Sequence, residues 1–176
     1  GFAGKWTHYQ ESLRVPLVVY DPRLPDPQHG QVIPQIALNS DLASTMIELA
    51  GLPIPKVHTG HSLAPLIRGE KVSDWRKDFL CEFLAVPITI PLWEGVHGEN
   101  ATYARYFVDG PNEPPYEFLH DLKKDPQQLT NLATESGTHP LLKRMRNRCD
   151  QLVANAGPSM KDVFKIHIKP PKKSKK

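Results

Sequence analysis

Short apolar runs, each closed by turn-forming residues, make up most of the hydrophobic pattern of this chain. The first run, RVPLVVY at residues 14–20, is rich in β-branched side chains and is closed by Asp21 and Pro22. Such a run predicts a buried strand inside an α/β sheet. Residues 22–35 contain four prolines and one glycine, which predicts an irregular surface loop after the strand.

The next segment carries the pattern of a helix of about three turns, from residue 39 to residue 51. Asn39 or Ser40 is a suitable N-cap, Asp41 favours the first turn, and Gly51 is a natural C-terminal stop. Helical spacing places four apolar side chains on one face, which we expect to be buried: Leu42, Met46, Leu49 and Ala50.

A change of pattern after residue 69 indicates a second body. Residues 53–69 are rich in turn formers, with an apolar patch at Leu63, Leu66 and Ile67. Beyond them, residues 79–86, 103–108 and 116–122 have the composition of strands separated by Gly, Pro and Asn, which predicts a small antiparallel sheet. Thr138, His139 and Pro140 then open a predicted helix, whose apolar positions recur at helical spacing: Leu141, Met145, Cys149 and Leu152.

These elements predict three parts with a boundary between Gly69 and Trp75. Residues 1–69 form an α/β part, residues 70–157 a small antiparallel sheet with a C-terminal helix, and residues 158–176 a basic, flexible tail.

Composition and charge narrow the function classes. Of the 176 residues, 39% are hydrophobic and 23% charged, as in ordinary globular proteins. No apolar run approaches the roughly 18 residues of a membrane-spanning helix, so we expect no membrane partner. The net charge of +3 is concentrated in the terminal lysines. A solvated terminus is the expected state of such a tail, and we expect no nucleic-acid partner.

The residues alone reveal no complete catalytic motif. The chain has no nucleophile elbow, phosphate-binding glycine loop, HExxH or CxxC pair. Cys81 and Cys149 lie far apart in sequence, which favours two buried free thiols over a zinc site, with a disulfide as the alternative.

Five segments nevertheless resemble, in order, segments of the sulfatases, enzymes of the alkaline-phosphatase-like superfamily. The opening, GKWTHYQESLRVPL, is similar to the family segment in which a GK pair precedes YEES and RVPL. The later matches are NSDLASTMIELAGLP from residue 39, GHSLAPLIRG from residue 60, EGVH from residue 94, and EFLHDLKKDP from residue 117 followed by NLA at residue 131.

The resemblance implies the end of an alkaline-phosphatase-like large α/β domain plus a small C-terminal antiparallel α+β subdomain. It implies hydrolysis of sulfate monoesters on a sulfated small molecule or glycan. It also implies a calcium ion and a formylglycine nucleophile, both located upstream of this chain, so that no metal ligand is assigned here. Family habit places such proteins in the periplasm or outside the cell.

Within this chain the resemblance singles out one catalytic residue and three substrate-binding candidates. Lys5 matches the lysine that contacts sulfate oxygens in the family. His8 is a candidate donor to the substrate, with a structural role as the alternative. Trp93 and His97 lie in the predicted substrate-facing turn, where His97 stands in place of the usual Arg of the family.

Two alternatives stay open at this point. A phosphodiesterase or phosphonate hydrolase of the same superfamily would use Lys5 on phosphoryl oxygens in a similar way. A catalytically silent piece, with a structural or polyanion-binding role for the lysine tail, is the alternative from another class. The oligomeric state is left open.

Overall fold

The computed structural model describes residues 5–84, 92–107, 116–134 and 140–157. Its contacts divide the chain into two compact units. One unit combines residues 1–15 with residues 78–176, and the other spans residues 16–77.

The first unit is built on a four-stranded antiparallel sheet whose strands follow chain order. The strands are β1 (Asp78–Phe83), β2 (Leu92–Gly98), β3 (Ala101–Phe107) and β4 (Tyr116–Asp121). One cross-strand row aligns Leu80 with Val96, Val96 with Tyr103, and Tyr103 with Leu119. Because side chains alternate between the two faces of a strand, this row lies on one face of the sheet.

A C-terminal helix covers that face. This helix, Pro140–Asn155, buries apolar side chains at helical spacing against the row described above. Together they form a core cluster of Val96, Ala101, Tyr103, Leu119, Leu142, Met145 and Cys149. Arg146 pairs with Glu117, and Arg148 makes a two-pronged pair with Asp78 at 2.7 and 2.8 Å.

The opposite face of the sheet is covered by the start of the chain. A short helix, Gln10–Leu13, brings Leu13 against a second cluster of Cys81, Trp93, Ala104 and Tyr106. Since both faces are covered, β2 and β3 are buried along most of their length and lack the burial alternation of a half-exposed sheet. Both cysteines are buried and neither takes part in a disulfide, which agrees with the prediction of two buried thiols.

The strand β2 corrects the sequence prediction, which treated this segment as a turn. Its Gly95 pairs with both Cys81 and Ala104, and a Cβ at this position would lie 2.2 Å from the carbonyl oxygen of Tyr103. The glycine therefore marks a close approach of two backbones inside the sheet and not a turn.

The second unit contains two α-helices, Asn39–Leu49 and Ala64–Ile67, and a short 3-10 helix, Asp26–Gln28. The longer helix ends as predicted, with Gly51 at a φ of 74°. The predicted apolar patch is also confirmed, because Leu63, Leu66 and Ile67 form a buried cluster with Leu42 packed against it.

The buried face of the longer helix differs from the prediction, because its fully buried residues are polar: Asp41, Ser44 and Thr45. Met46, expected inside, is exposed. The carboxylate of Asp41 accepts hydrogen bonds from the backbone N–H groups of Leu38 and His61 and pairs with Arg76. Local capping and loop attachment thus decide which face is buried here.

The predicted strand at residues 14–20 does not form in this chain. No helix or strand includes these residues, and Val18 and Tyr20 are 88% and 80% exposed. A strand needs a hydrogen-bonding neighbour, and no strand of the described chain pairs with this segment.

The predicted division into domains differs from the observed units in two respects. The boundary lies between Lys77 and Asp78, just beyond the predicted interval. Residues 5–15, assigned from the sequence to the first domain, belong to the sheet unit. Thr138, His139 and the tail 158–176 lie outside the described residues, so those expectations stay predictions. Among the described helices, none has the length and hydropathy required to cross a membrane.

Candidate functional site

The candidate site is the segment 5–13, which carries Lys5 and lies on the sheet face formed by Trp93, Tyr106 and Phe118. Lys5 is exposed. Trp6 stacks on Phe83 with ring centroids 6.4 Å apart and planes 13° apart. Side chains from three strands and from one loop bond to Trp6, His8 and Gln10. Lys5 therefore projects from an anchored segment.

Trp93 holds the backbone next to Lys5. Its indole N–H donates to the carbonyl oxygen of Trp6 at 2.8 Å. The side chain is only 2% exposed and stacks on Tyr106 with centroids 5.8 Å apart. A buried indole N–H needs an acceptor, and here the acceptor is the backbone carbonyl one residue after Lys5.

His8 is the most deeply buried residue of the segment, at 1% exposure. Its backbone N–H donates to the hydroxyl oxygen of Tyr106 at 3.1 Å, and its ring Nδ1 lies 2.9 Å from the same oxygen. Its ring Nε2 lies 3.3 Å from Nε2 of His120. One hydroxyl on β3 and one imidazole on β4 therefore hold both the backbone and the side chain of His8.

These distances determine where the protons lie. Nδ1 of His120 is 2.9 Å from the carbonyl oxygen of Thr130, and a carbonyl can only accept, so this nitrogen carries a proton. In neutral His120, Nε2 is then an acceptor, which requires Nε2 of His8 to donate. Nδ1 of His8 is consequently an acceptor for the hydroxyl proton of Tyr106. Each ring nitrogen of the pair thus has a defined role.

Burial keeps this cluster uncharged at neutral pH. Desolvation, with smaller contributions from His120 and His97, lowers the pKa of His8 to about 3. Desolvation also lowers the pKa of His120 and raises the pKa of Tyr106 to about 12. The support beneath the segment therefore adds no charge of its own from the two histidines.

A fourth attachment lies on the other side of His8. The backbone N–H of Gln10 donates to the side-chain oxygen of Gln128 at 2.7 Å. Gln128 is buried and has a φ of 55°, in the left-handed region that is uncommon for a residue other than glycine. The turn after β4 is thus shaped so that this side chain faces the segment.

His97 lies on the same strand as Trp93 but makes a different contact. Its ring stacks on Phe79 of β1, with centroids 5.5 Å apart and planes 26° apart. Burial, followed by the nearby charge of Arg14, lowers the pKa of His97.

The structure thus brings two of the predicted residues, His8 and Trp93, into direct support of the loop that carries Lys5. That His8, Trp93 and His97 contact substrate stays a prediction.

Sequence reasoning missed three residues that hold this segment: Tyr106, His120 and Gln128. Their signal was weak but present. Tyr106 and His120 occupy positions of β3 and β4 that face the same side of the sheet as Ala104 and Phe118. Both side chains carry a polar group among apolar neighbours, and a buried polar group indicates a hydrogen-bonding partner.

A metal site is not assembled by this part of the chain. Within residues 5–84, 92–107, 116–134 and 140–157, no group of three or more His, Cys, Asp or Glu side chains is arranged to hold a metal ion.

Solved structures share this architecture with the chain. A 2-O GAG sulfatase matches with a TM-score of 0.58 and 29% identity, over 72% of this chain and 26% of that one. The phosphonate monoester hydrolase of Agrobacterium radiobacter matches in fold, with a TM-score of 0.52 and 21% identity, over 65% of this chain and 24% of that one. The fold class is that of the alkaline-phosphatase-like sulfatases, as predicted.

The chain belongs to the family described as N-sulphoglucosamine sulphohydrolase, C-terminal, whose profile matches residues 1–155. A Delta 4,5-hexuronate-2-O-sulfatase of Bacteroides thetaiotaomicron is 29% identical over 84% of this chain and 30% of its own length. Arylsulfatase K of Xenopus laevis is 30% identical over 73% of this chain and 24% of its own length. The matched region is therefore about a quarter to a third of these relatives, and the predicted resemblance to a C-terminal sulfatase segment is confirmed.

Proposed function

We propose that this chain is the C-terminal part of a sulfatase that hydrolyses sulfate monoesters of sulfated carbohydrates, and that Lys5 contacts the sulfate group. The observation that carries the proposal is the exposed Lys5 on a segment anchored by Trp93 and His8, in a chain of this family. A relative named for a hexuronate sulfate supports a carbohydrate substrate.

The chemistry required of Lys5 is electrostatic. When the S–O bond to the sugar breaks, negative charge increases on the departing oxygen and is shared with the sulfuryl oxygens. A positioned ammonium stabilises that charge, and its effect is several times larger in a partly dehydrated site than in water. The role needs a fixed position of the side chain, because the stabilisation depends on its distance from the developing charge.

The nucleophile and the metal are expected elsewhere in the protein. We propose that a formylglycine and a calcium ion, which the family resemblance implies, are supplied by residues upstream of Gly1. Bound there, they would provide the attacking oxygen and the polarisation of the sulfate. Localisation to the periplasm or outside the cell is part of the same proposal and rests on family habit.

Substitution of Lys5 by alanine in the full-length protein tests the proposal. We expect kcat/KM for sulfated monosaccharides to fall by about a hundredfold or more, because one positioned donor to a developing charge is worth roughly this factor. The melting temperature should change little, since Lys5 is exposed. Lys123→Ala, at an exposed lysine of the same unit, is the matched control and should retain full turnover.

The same assays separate sulfatase from phosphonate hydrolase activity. The fold is shared with a phosphonate monoester hydrolase, and a lysine serves phosphoryl oxygens nearly as well as sulfuryl oxygens. Turnover of phosphonate monoesters that exceeds turnover of all sulfated sugars would replace the proposed reaction. Unchanged turnover in Lys5→Ala would remove Lys5 from it.

A further inference from the structure

We propose that Tyr106 and Trp93 are positioning residues for the reaction, which hold Lys5 in place through hydrogen bonds to His8 and Trp6 of the same segment. The inference rests on the proposed role of Lys5. It concerns side chains on β3 and β2 that are buried beneath the segment and do not themselves need to touch substrate.

The first observation is that the bonds converge on a very short stretch of backbone. Trp93 holds the carbonyl of Trp6, and Tyr106 holds the N–H of His8. Consecutive Cα atoms are about 3.8 Å apart, so these two bonds fix the backbone within three residues of the Lys5 Cα. Positioning matters at this range, because a displacement of about 1 Å at a reacting centre can cost a hundredfold in rate.

The second observation is that the Tyr106 hydroxyl is used twice. It accepts from the backbone N–H of His8 and donates to Nδ1 of the same residue. The hydroxyl must be the donor in the bond to Nδ1, because the carbonyl of Thr130 fixes the proton position on His120, and His120 in turn fixes the proton position on His8. Removal of this one hydroxyl therefore leaves two groups of His8 unsatisfied in a buried place, while the ring of Tyr106 keeps its packing.

The third observation is that two polar groups of an otherwise apolar cluster, the indole N–H of Trp93 and the hydroxyl of Tyr106, both bond to this segment. The second core cluster consists of Cys81, Trp93, Ala104 and Tyr106. Polar atoms placed in such a cluster must bond to something specific, and here the indole N–H of Trp93 and the hydroxyl of Tyr106 bond to the segment that carries Lys5. A purely apolar face would bury the segment equally well but would not set its register.

The test uses Tyr106→Phe in the full-length enzyme, with Tyr103→Phe as the matched control. Tyr103 is also buried and on the same strand, and its hydroxyl donates to Glu117 at 2.6 Å. It lies on the opposite face, against the C-terminal helix. Both substitutions remove one buried hydroxyl, and only one of the two hydroxyls contacts the Lys5 segment.

We expect kcat/KM for a sulfated monosaccharide to fall about tenfold or more in Tyr106→Phe and to stay within twofold in Tyr103→Phe. Tyr106→Phe should also lose more melting temperature than Tyr103→Phe, because Glu117 keeps its pair with Arg146 in the control. Trp93→Phe, which keeps an aromatic ring but lacks the N–H donor, should show the same loss of kcat/KM and provides the measurement if Tyr106→Phe does not fold.

A double-mutant cycle with Lys5→Ala distinguishes positioning from general structural damage. If Tyr106 acts through Lys5, Tyr106→Phe causes no further loss of kcat/KM in the Lys5→Ala background. An equal loss in both backgrounds would overturn the inference, as would normal kcat/KM in both Tyr106→Phe and Trp93→Phe. If Lys5→Ala alone is fully active, the proposed function of Lys5 and this inference both fail. An impaired Lys5→Ala with normal Tyr106 and Trp93 variants overturns only the positioning role.

Discussion

His8 and His120 form a buried pair whose ring nitrogens lie 3.3 Å apart. In the neutral pair each ring nitrogen has one role. The hydroxyl of Tyr106 donates to Nδ1 of His8, Nε2 of His8 donates to Nε2 of His120, and Nδ1 of His120 donates to the carbonyl oxygen of Thr130. A second proton on either ring would place two donors face to face, or a donor against the hydroxyl proton of Tyr106. Protonation is therefore unfavourable for reasons of geometry as well as burial.

The histidine pair predicts a pH dependence of stability. The folded-state pKa of His8 is lowered from 6.5 to about 3, and the pKa values of His120 and His97 are also lowered. The unfolded chain consequently binds more protons than the folded chain below pH 6.5. The contribution of these groups is complete above pH 6.5 and is lost as the pH falls toward their folded-state pKa values, by at most about 1.4 kcal/mol per pH unit for each group.

Thermal unfolding of the full-length protein between pH 7.5 and pH 5 measures this effect. Below about pH 4.5, paired carboxylates with lowered pKa values, such as Glu117, also lose their contribution to stability. The range from pH 7.5 to pH 5 therefore reports on the histidines. His8→Gln cannot titrate there, and its melting temperature should fall less steeply with decreasing pH than that of the wild type. Parallel curves for the two proteins would contradict the predicted role of His8.

The C-terminal helix, Pro140–Asn155, is attached to the sheet by two kinds of contact. Leu142, Met145 and Cys149 fill the apolar core, and Arg146 and Arg148 pair with acidic residues of β4 and β1. Both arginines are partly exposed, and exposed pairs contribute about 0–1 kcal/mol each. Most of the stability of this element therefore comes from the buried leucine and its neighbours.

Leu142→Ala tests this division. Leu142 is 0% exposed, so we expect a loss of about 2–5 kcal/mol from the transferred methylene groups and the cavity they leave. Leu129→Ala is the matched control, because Leu129 is 80% exposed and should change stability by no more than about 0.5 kcal/mol. Urea denaturation followed by circular dichroism gives both values, and a similar small effect for the two variants would show that the helix is not held by this core.

The unit of residues 16–77 leaves many large apolar side chains exposed. Within residues 16–77, large side chains with high exposure include Leu17, Val18, Val19, Tyr20, Val32, Met46, Leu52 and Val57. The chain spans about 30% of the length of the Delta 4,5-hexuronate-2-O-sulfatase that it matches. An apolar surface of this extent favours association with another surface when it is exposed to water.

We expect the 176-residue chain expressed by itself to associate at micromolar concentration. Light scattering coupled to size-exclusion chromatography measures the effect. Val18→Lys combined with Val32→Lys should shift the distribution toward monomer, since these valines are 88% and 92% exposed and charges at such positions oppose apolar contact. Lys substitutions at Leu129 and Tyr116, exposed residues of the other unit, are the control. A monomeric wild-type chain with cooperative melting would contradict the prediction.

Patterns of local origin could be predicted from the sequence. The helix at residues 39–49 and its glycine stop, the patch at Leu63, Leu66 and Ile67, three of the four strands, and the apolar spacing of the C-terminal helix are set by period, capping and turn chemistry. The family resemblance was also carried by short motifs in order, which need no knowledge of contacts.

Features that depend on distant partners could not be predicted in this way. The run at residues 14–20 has a strand composition, but a strand forms only beside another strand, and none of the described strands lies beside it. Gly95 is typical of a turn in the sequence, but it lies in a strand between β1 and β3 because both neighbouring strands pair with it. The polar face of the helix at residues 39–49 is buried because a loop twenty residues away bonds to Asp41.

In the candidate site, too, one part follows from a local motif and the other from contacts between distant residues. Lys5 was identified from its motif, whereas the support beneath it joins residues separated by about a hundred positions, such as His8 with Tyr106 and His120. No local pattern predicts such a pairing, because hydrogen bonds across a sheet face depend on strand register and on which segment covers that face. Sequence motifs thus identified the charged group, and the packing of the chain start on the sheet established how that group is held.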